Sequence, residues 1–171
     1  GVGTVQAAVG QVLCDECAAG QYQDNAGQTA CIACSDGTYL EGTGSTTRDD
    51  CAACPAGRFS SIAGSGNAAD CIECDAGRFV SETGSDHAGS CRLCPSGRFS
   101  PLAGNDNSED CILCAAGRYV EEEGSTAETD CLSCPEGKYS TISGAVTEAH
   151  CIECPHGTWL GTVGNDALSD C

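Results

Sequence analysis

Seventeen cysteines in 171 residues constrain this chain more than any other feature. They fall at 14 and 17, 31 and 34, 51 and 54, 71 and 74, 91 and 94, 111 and 114, 131 and 134, 151 and 154, and finally at 171. From Cys31 onward the period is a strict 20 residues, while the first unit has lost three residues between Gly27 and Cys31. A fixed period of this kind marks a repeat array, in which each module packs only on its neighbours. The fold class it predicts is small disulfide-rich tandem repeats with short β-hairpin-like strands and turns, almost no helix, and an elongated rod or solenoid form. The array reads as about eight modules over 14–171 (14–30, 31–50, 51–70, 71–90, 91–110, 111–130, 131–150 and 151–171).

The other positions of the module are equally regular. A Gly stands three residues after the second Cys of each pair, from Gly20 and Gly37 to Gly137 and Gly157, and a second Gly follows seven residues later, from Gly27 to Gly164. Two residues after the first Gly comes an aromatic: Tyr22, Tyr39, Phe59, Phe79, Phe99, Tyr119, Tyr139 and Trp159, which are all the aromatics in the chain. One large ring per module at fixed register is a packing device, laid against disulfides and the next module. The glycines are expected at turns with positive φ or close backbone approach. Stretches such as RFSSIA, RFVSET and KYSTIS read as strands, and polar stretches such as GSTTRDD, GNDNSED and GNDALSD read as turns. The residue after the first Cys is usually aliphatic (Ile32, Ile72, Ile112, Leu132, Ile152) and is expected to plug the joint between modules.

Composition explains why cross-links are needed. Leu, Ile, Val and Phe supply only 25 of 171 residues, and the net charge is −18. Such a chain lacks the apolar surface to offset its own entropy unless covalent bridges or metal hold it. Seven basic residues against 25 acidic ones exclude a nucleic-acid partner, and membrane insertion is not expected because no apolar run approaches a membrane span. Residues 1–13 are uncharged and lack the basic start of a signal peptide, so they read as the end of a preceding region. With no Met, the chain is expected to be a segment of a longer polypeptide.

The cysteines admit several uses. The spacing C-x2-C-x16-C-x2-C fits a four-cysteine zinc site, but zinc would take two knuckles per ion and impose an alternation near 40 residues that the cysteines do not show. Joining the second Cys of each pair to the first Cys of the next makes eight bridges and leaves over only Cys14. The longer scheme that begins Cys14–Cys34 and Cys31–Cys54 leaves over Cys17, Cys151 and Cys171. Bridging within each C-x-x-C is typical of redox centres, and eight copies have no catalytic rationale.

The repeat CPAGRFSSIAGSGNAADCIEC resembles the extracellular cysteine-rich repeats of the ephrin-receptor-like family. Its core, with Pro55, Pro95, Pro135 and Pro155 following the second Cys, then Gly, then the aromatic, is also similar to the first module of tumour-necrosis-factor-receptor domains. The resemblance covers Cys14 to Cys171. It implies that the Cys before the Pro pairs with the next Cys along: Cys17–Cys31, Cys34–Cys51, Cys54–Cys71, Cys74–Cys91, Cys94–Cys111, Cys114–Cys131, Cys134–Cys151 and Cys154–Cys171, with Cys14 to an upstream Cys. Receptor domains alternate this module with a doubly bridged type, whereas every module here is of one type. Uniform arrays of this sort resemble segments of large extracellular proteins, including surface and flagellar-hair (mastigoneme) proteins of algae and protists.

The remaining polar residues suggest little chemistry. Arg58, Arg78, Arg98, Arg118 and Lys138 share one register, either as a cationic stripe for an acidic partner or as neutralisers of Asp50, Asp70, Asp110 and Asp130. The second reading is favoured. No cofactor is expected; Ca2+, the cation that the GSD and GND segments would suit, lacks its ligand loop. His87, His150 and His156 sit in three different registers, and Glu121, Glu122 and Glu123 read as solvent-facing. No N-linked sequon is present, but Ser45, Thr46, Thr47, Ser125 and Thr126 are candidate acceptors of O-linked glycan. The chain is therefore expected to be a non-catalytic, secreted structural protein forming a disulfide-stapled rod or fibre with neighbouring copies of itself. The alternative is the ectodomain stalk of a receptor or adhesion protein that binds a protein ligand.

Overall fold

A computed structural model describes residues 1–6, 14–158 and 160–171. It consists of repeated disulfide-bonded pairs of very short antiparallel strands, with single turns of 3-10 helix and no α-helix or closed sheet among the described residues. Each pair joins the aromatic of one module to the C-x-x-C of the next. Arg58–Phe59 pairs with Ile72–Glu73, for example, with Phe59 opposite Ile72, and Arg98–Phe99 pairs with Ile112–Leu113. The strand stretches read from sequence are cut to two residues. The residue after the aromatic turns inward instead of extending the ladder, and its backbone bonds to another module. The polar stretches close as 3-10 turns such as Arg48–Asp50, Ala68–Asp70 and Ser108–Asp110.

The chain divides into two units, Gly1–Cys74 with Val80–Cys91, and Asp75–Phe79 with Arg92–Cys171. Both are built by the same backbone circuit over three consecutive modules. In the second unit the Gly77 amide donates to the Ser100 carbonyl (2.9 Å) and the Ser100 amide to the Ser125 carbonyl (3.0 Å). The Gly124 amide donates to the Cys94 carbonyl (2.8 Å), and the Cys94 amide returns to the Gly77 carbonyl (2.8 Å). In the first unit, Gly37, Ser60, Ser85, Gly84 and Cys54 make the same circuit at 2.7–3.0 Å. These bonds satisfy buried backbone groups that a sheet or helix would otherwise pair. Within each unit they also tie modules to the next and the next but one.

The circuit fixes the need for glycine. Gly97 has φ of 81°, and a Cβ placed there would run into the backbone carbonyl of Gly144, two modules on. Both positive φ and close approach exclude a side chain at that position.

Interior side chains form small separate clusters. Tyr22 packs with Cys34 and Leu40, Phe59 with Cys74, Val80 and Cys91, and Phe99 with Cys114, Val120 and Cys131. The residue after the aromatic is buried in every module: Gln23, Leu40, Ser60, Val80, Ser100, Val120, Ser140 and Leu160. From Leu40 on, aliphatic and Ser alternate. The cysteines repeat every 20 residues, but the chemistry of the buried register repeats every 40. Where the register holds Ser, its hydroxyl finds a polar neighbour: Ser60 meets the Ser65 hydroxyl at 3.1 Å, and Ser100 donates to the Asn105 side-chain oxygen at 3.1 Å.

Residues 3–5 follow the same plan as the modules downstream. Gly3 has positive φ, the Cys17 amide donates to its carbonyl at 3.0 Å, and Thr4–Val5 pairs with Asp15–Glu16. Val5 thus occupies the register that an aromatic holds elsewhere.

Candidate functional site

The chemically distinctive feature is the disulfide ladder. Cys17–Cys31 spans 14 residues, and Cys34–Cys51, Cys54–Cys71, Cys74–Cys91, Cys94–Cys111, Cys114–Cys131, Cys134–Cys151 and Cys154–Cys171 each span 17. From Cys34–Cys51 to Cys134–Cys151 each bridge closes the loop that contains the aromatic and a 3-10 turn, whereas the shorter Cys17–Cys31 loop contains Tyr22 but no 3-10 turn. Cys14 is exposed and unpaired. Tyr22, Phe99 and Tyr119 are buried, and Tyr39, Phe59, Phe79 and Tyr139 are half-buried. Trp159 lies outside the described residues.

The cationic register is used differently from the expected neutralisation of Asp50, Asp70, Asp110 and Asp130. Those aspartates accept backbone amides at the start of the 3-10 turns instead. Asp110 Oδ2 takes the amides of Asp106 (3.0 Å) and Asn107 (3.2 Å), and Asp130 Oδ2 takes those of Thr126 and Ala127 (both 2.9 Å). Asp50, Asp70 and Asp170 do the same. An amide-accepting carboxylate at the start of a turn satisfies donors that have no partner within it. The signal was present in the sequence as an Asp immediately before the first Cys in five modules. The guanidinium groups reach the other end of the turn, where Arg98 donates to the Cys111 carbonyl at 2.8 Å and Arg118 to the Cys131 carbonyl at 3.4 Å. Arg58 bonds the Cys71 carbonyl and pairs with Glu73 at 2.6 Å, while Lys138 pairs with Glu148 at 3.0 Å. Glu148 holds the Lys138 ammonium above its usual range, mainly through that hydrogen bond. Arg78, in the same register, is half-buried.

The aliphatic residues expected as plugs are exposed instead. Ile32, Ile72, Ile112, Leu132 and Ile152 all face solvent. Each stands opposite an aromatic in its strand pair, as Ile72 does Phe59 and Ile112 does Phe99, and so lies on the same face as that ring. The joints they were expected to fill are closed by the buried register and the backbone circuit.

The histidines form no catalytic relay. His87 is exposed, and its Nδ1 meets both the Asp86 carboxylate and the Ser90 hydroxyl, so acid and hydroxyl share one nitrogen and cannot pass a proton across the ring. The His87 hydrogen bond holds the Asp86 carboxyl below the usual range. His150 contacts the Thr147 hydroxyl at 3.2 Å, and His156 is exposed. Glu121, Glu122 and Glu123 are exposed and line a shallow cleft with Tyr119, Asp130 and Leu132. Among the described residues no group of three or more His, Cys, Asp or Glu could hold a metal, and no helix is long and apolar enough to cross a membrane. Of the candidate glycan acceptors, Thr46 and Thr126 are exposed and Ser45 and Thr47 half-buried. Ser125 is buried, its hydroxyl donating to the Glu122 carbonyl.

Comparison with known families agrees with this architecture. A family model described as tyrosine-protein kinase ephrin type A/B receptor-like matches residues 3–51, 83–131 and 102–151. The first match begins at Gly3, ahead of the first cysteine, where the module pattern is already in place. No curated protein matches the chain.

Proposed function

Because this chain belongs to the ephrin-receptor-like family of cysteine-rich repeats, whose modules are non-catalytic parts of extracellular domains, we propose that it is a secreted structural protein. It acts as a disulfide-stapled, fibre-forming segment, with copies of the chain as its partners and exposed threonines such as Thr46 and Thr126 open to O-linked glycan. One observation carries this reading. Eight bridges at near-identical intervals are interleaved, within each unit, with a backbone circuit joining three consecutive modules, so most of the sequence serves to hold module to module. The disulfides and the family together support an oxidising, extracellular setting. Electron microscopy of the native material tests the proposal. Filaments with a regular axial repeat are expected; dispersed stalks on a membrane protein would instead favour the receptor ectodomain.

A further inference from the structure

From Leu40 to Ser140 the 40-residue alternation of the buried register also reaches the surface. Between the aromatic and the second Gly, the chain makes an exposed tip. Three of the tips that follow a buried aliphatic are acidic, with Glu41 after Leu40, Glu82 after Val80, and Glu121, Glu122 and Glu123 after Val120, whereas the tip after Leu160, Gly161-Thr162-Val163, is uncharged and leaves Val163 60% exposed. Tips that follow a buried Ser carry no charge: Ser61-Ile62-Ala63, Pro101-Leu102-Ala103 and Thr141-Ile142-Ser143. Each presents one large aliphatic side chain to water, with Ile62 61% exposed, Leu102 69% and Ile142 47%. In a chain of net charge −18, four uncharged apolar tips, at Ile62, Leu102, Ile142 and Val163, are a strong departure from the surrounding surface.

The tips are also held in place. The Ile62 carbonyl accepts the Ser65 hydroxyl at 2.9 Å, and the Leu102 carbonyl accepts the Asn105 amide at 2.8 Å, both donors being buried. The Ile142 amide donates to the buried Ser140 hydroxyl at 3.4 Å. An anchored tip loses little freedom on contact, which removes part of the cost of association. The exposed residues at the Ile72 register already lie on the same face as an aromatic ring. Among the described residues no ring stands opposite the tips in the strand pairing.

We propose that the uncharged tips at Ile62, Leu102, Ile142 and Val163 are the contact points between copies of this chain. Charge selects the occupant. A basic partner would be drawn to the acidic tips and would gain nothing from the uncharged ones. Another copy, itself strongly acidic, can approach without repulsion only where carboxylates are absent on both surfaces, and its own uncharged tips meet that condition. Each tip buries little, so the contact is weak singly and gains strength from repetition along the array. This inference rests on the fibre reading and names the surface that reading requires.

The test uses the full oxidised chain in sedimentation velocity over a range of concentrations. The wild type is expected to form larger species, and the quadruple variant Ile62→Lys, Leu102→Lys, Ile142→Lys, Val163→Lys to remain a monomer at the same concentrations. The neutral quadruple Ile62→Asn, Leu102→Asn, Ile142→Asn, Val163→Asn is expected to need at least about tenfold more protein, since each tip loses its apolar contact. Mass analysis showing eight bridges in both variants establishes that they fold. Hydrogen exchange on the wild type needs no variant, and amides of residues 61–63, 102–103, 141–143 and 161–163 should gain protection on assembly. If the wild type assembles, but the variants assemble equally and the tip amides stay unprotected, the tips are excluded while the fibre reading stands. A wild type that stays monomeric at millimolar concentration overturns both.

Discussion

Gly97 and Gly27 have the same backbone conformation in different surroundings, and substituting each separates the two reasons for glycine. Both have φ near 80° (81° and 79°), but a Cβ at Gly97 meets the Gly144 carbonyl while one at Gly27 meets nothing. Gly27→Ala is expected to cost about 1–2 kcal/mol, the penalty of a left-handed non-glycine residue. Gly97→Ala must also push apart two packed modules, so its cost should exceed that by several fold; guanidinium midpoints of the oxidised proteins measure both. Among charged residues, Lys138 gives the clearest pH signature. Its folded pKa lies above the ordinary 10.5 because Glu148 accepts its proton. The pair's contribution is therefore full below the unfolded value and lost as pH rises through the folded one. The melting-temperature difference between wild type and Lys138→Gln should be constant to about pH 9 and shrink above about pH 11. Asp86 behaves in the opposite sense: its pKa is lowered, so its contribution is present above 3.8 and fades as pH falls through the folded value.

At the scale of the element, the 20-residue module is only half of the repeating chemistry. Leu40, Val80 and Val120 pack on the aromatic of the preceding module, whereas Ser60 and Ser100 fill the same register with a hydroxyl bonded to a neighbouring polar side chain. Val120→Ser should destabilise by about 2–3 kcal/mol, because Phe99, Cys114 and Cys131 lose their apolar partner. Ser100→Val should cost about 1–3 kcal/mol by leaving the Asn105 oxygen without its donor. Denaturant unfolding of both variants under oxidising conditions tests whether the alternation is structural. Much of the module was legible in sequence because it depends on local order. The Gly and aromatic registers, the turns and the repeat period are all properties of a short window. What escaped was pairing between modules. Ile72 and Ile112 looked like plugs because they are aliphatic, but a backbone circuit between Gly, Cys and the residue after the aromatic fills the joints instead. Nothing in the hydropathy of Ser60 or Ser100 marks them as interior. Their burial follows from amide bonds to carbonyls 25 residues away.

For the whole molecule, the question is what replaces a continuous apolar core. The buried apolar clusters are small and separate, each centred on one aromatic and its neighbouring cysteines. Closing a loop of roughly 15 residues is worth about 3 kcal/mol in the chain-entropy model, chiefly by restricting the unfolded chain. Every module relies on one such loop, and within each unit the backbone circuit fixes amides across three consecutive modules. Loss of the bridges should therefore not merely loosen individual turns. It should remove the restraint that makes the amide circuits affordable in entropy, and the order of each unit should go with it. A thiol reductant is expected to abolish protease resistance and the slow-exchanging amides of Gly37, Ser60, Gly97 and Val120. A strong chelator should leave both unchanged, since no cluster among the described residues could hold a metal. Thiol titration in denaturant without reductant should find one reactive thiol, Cys14. Amides that stay protected after full reduction would show that the hydrogen-bond circuits and small clusters are sufficient alone, and that the bridges follow the fold rather than determine it.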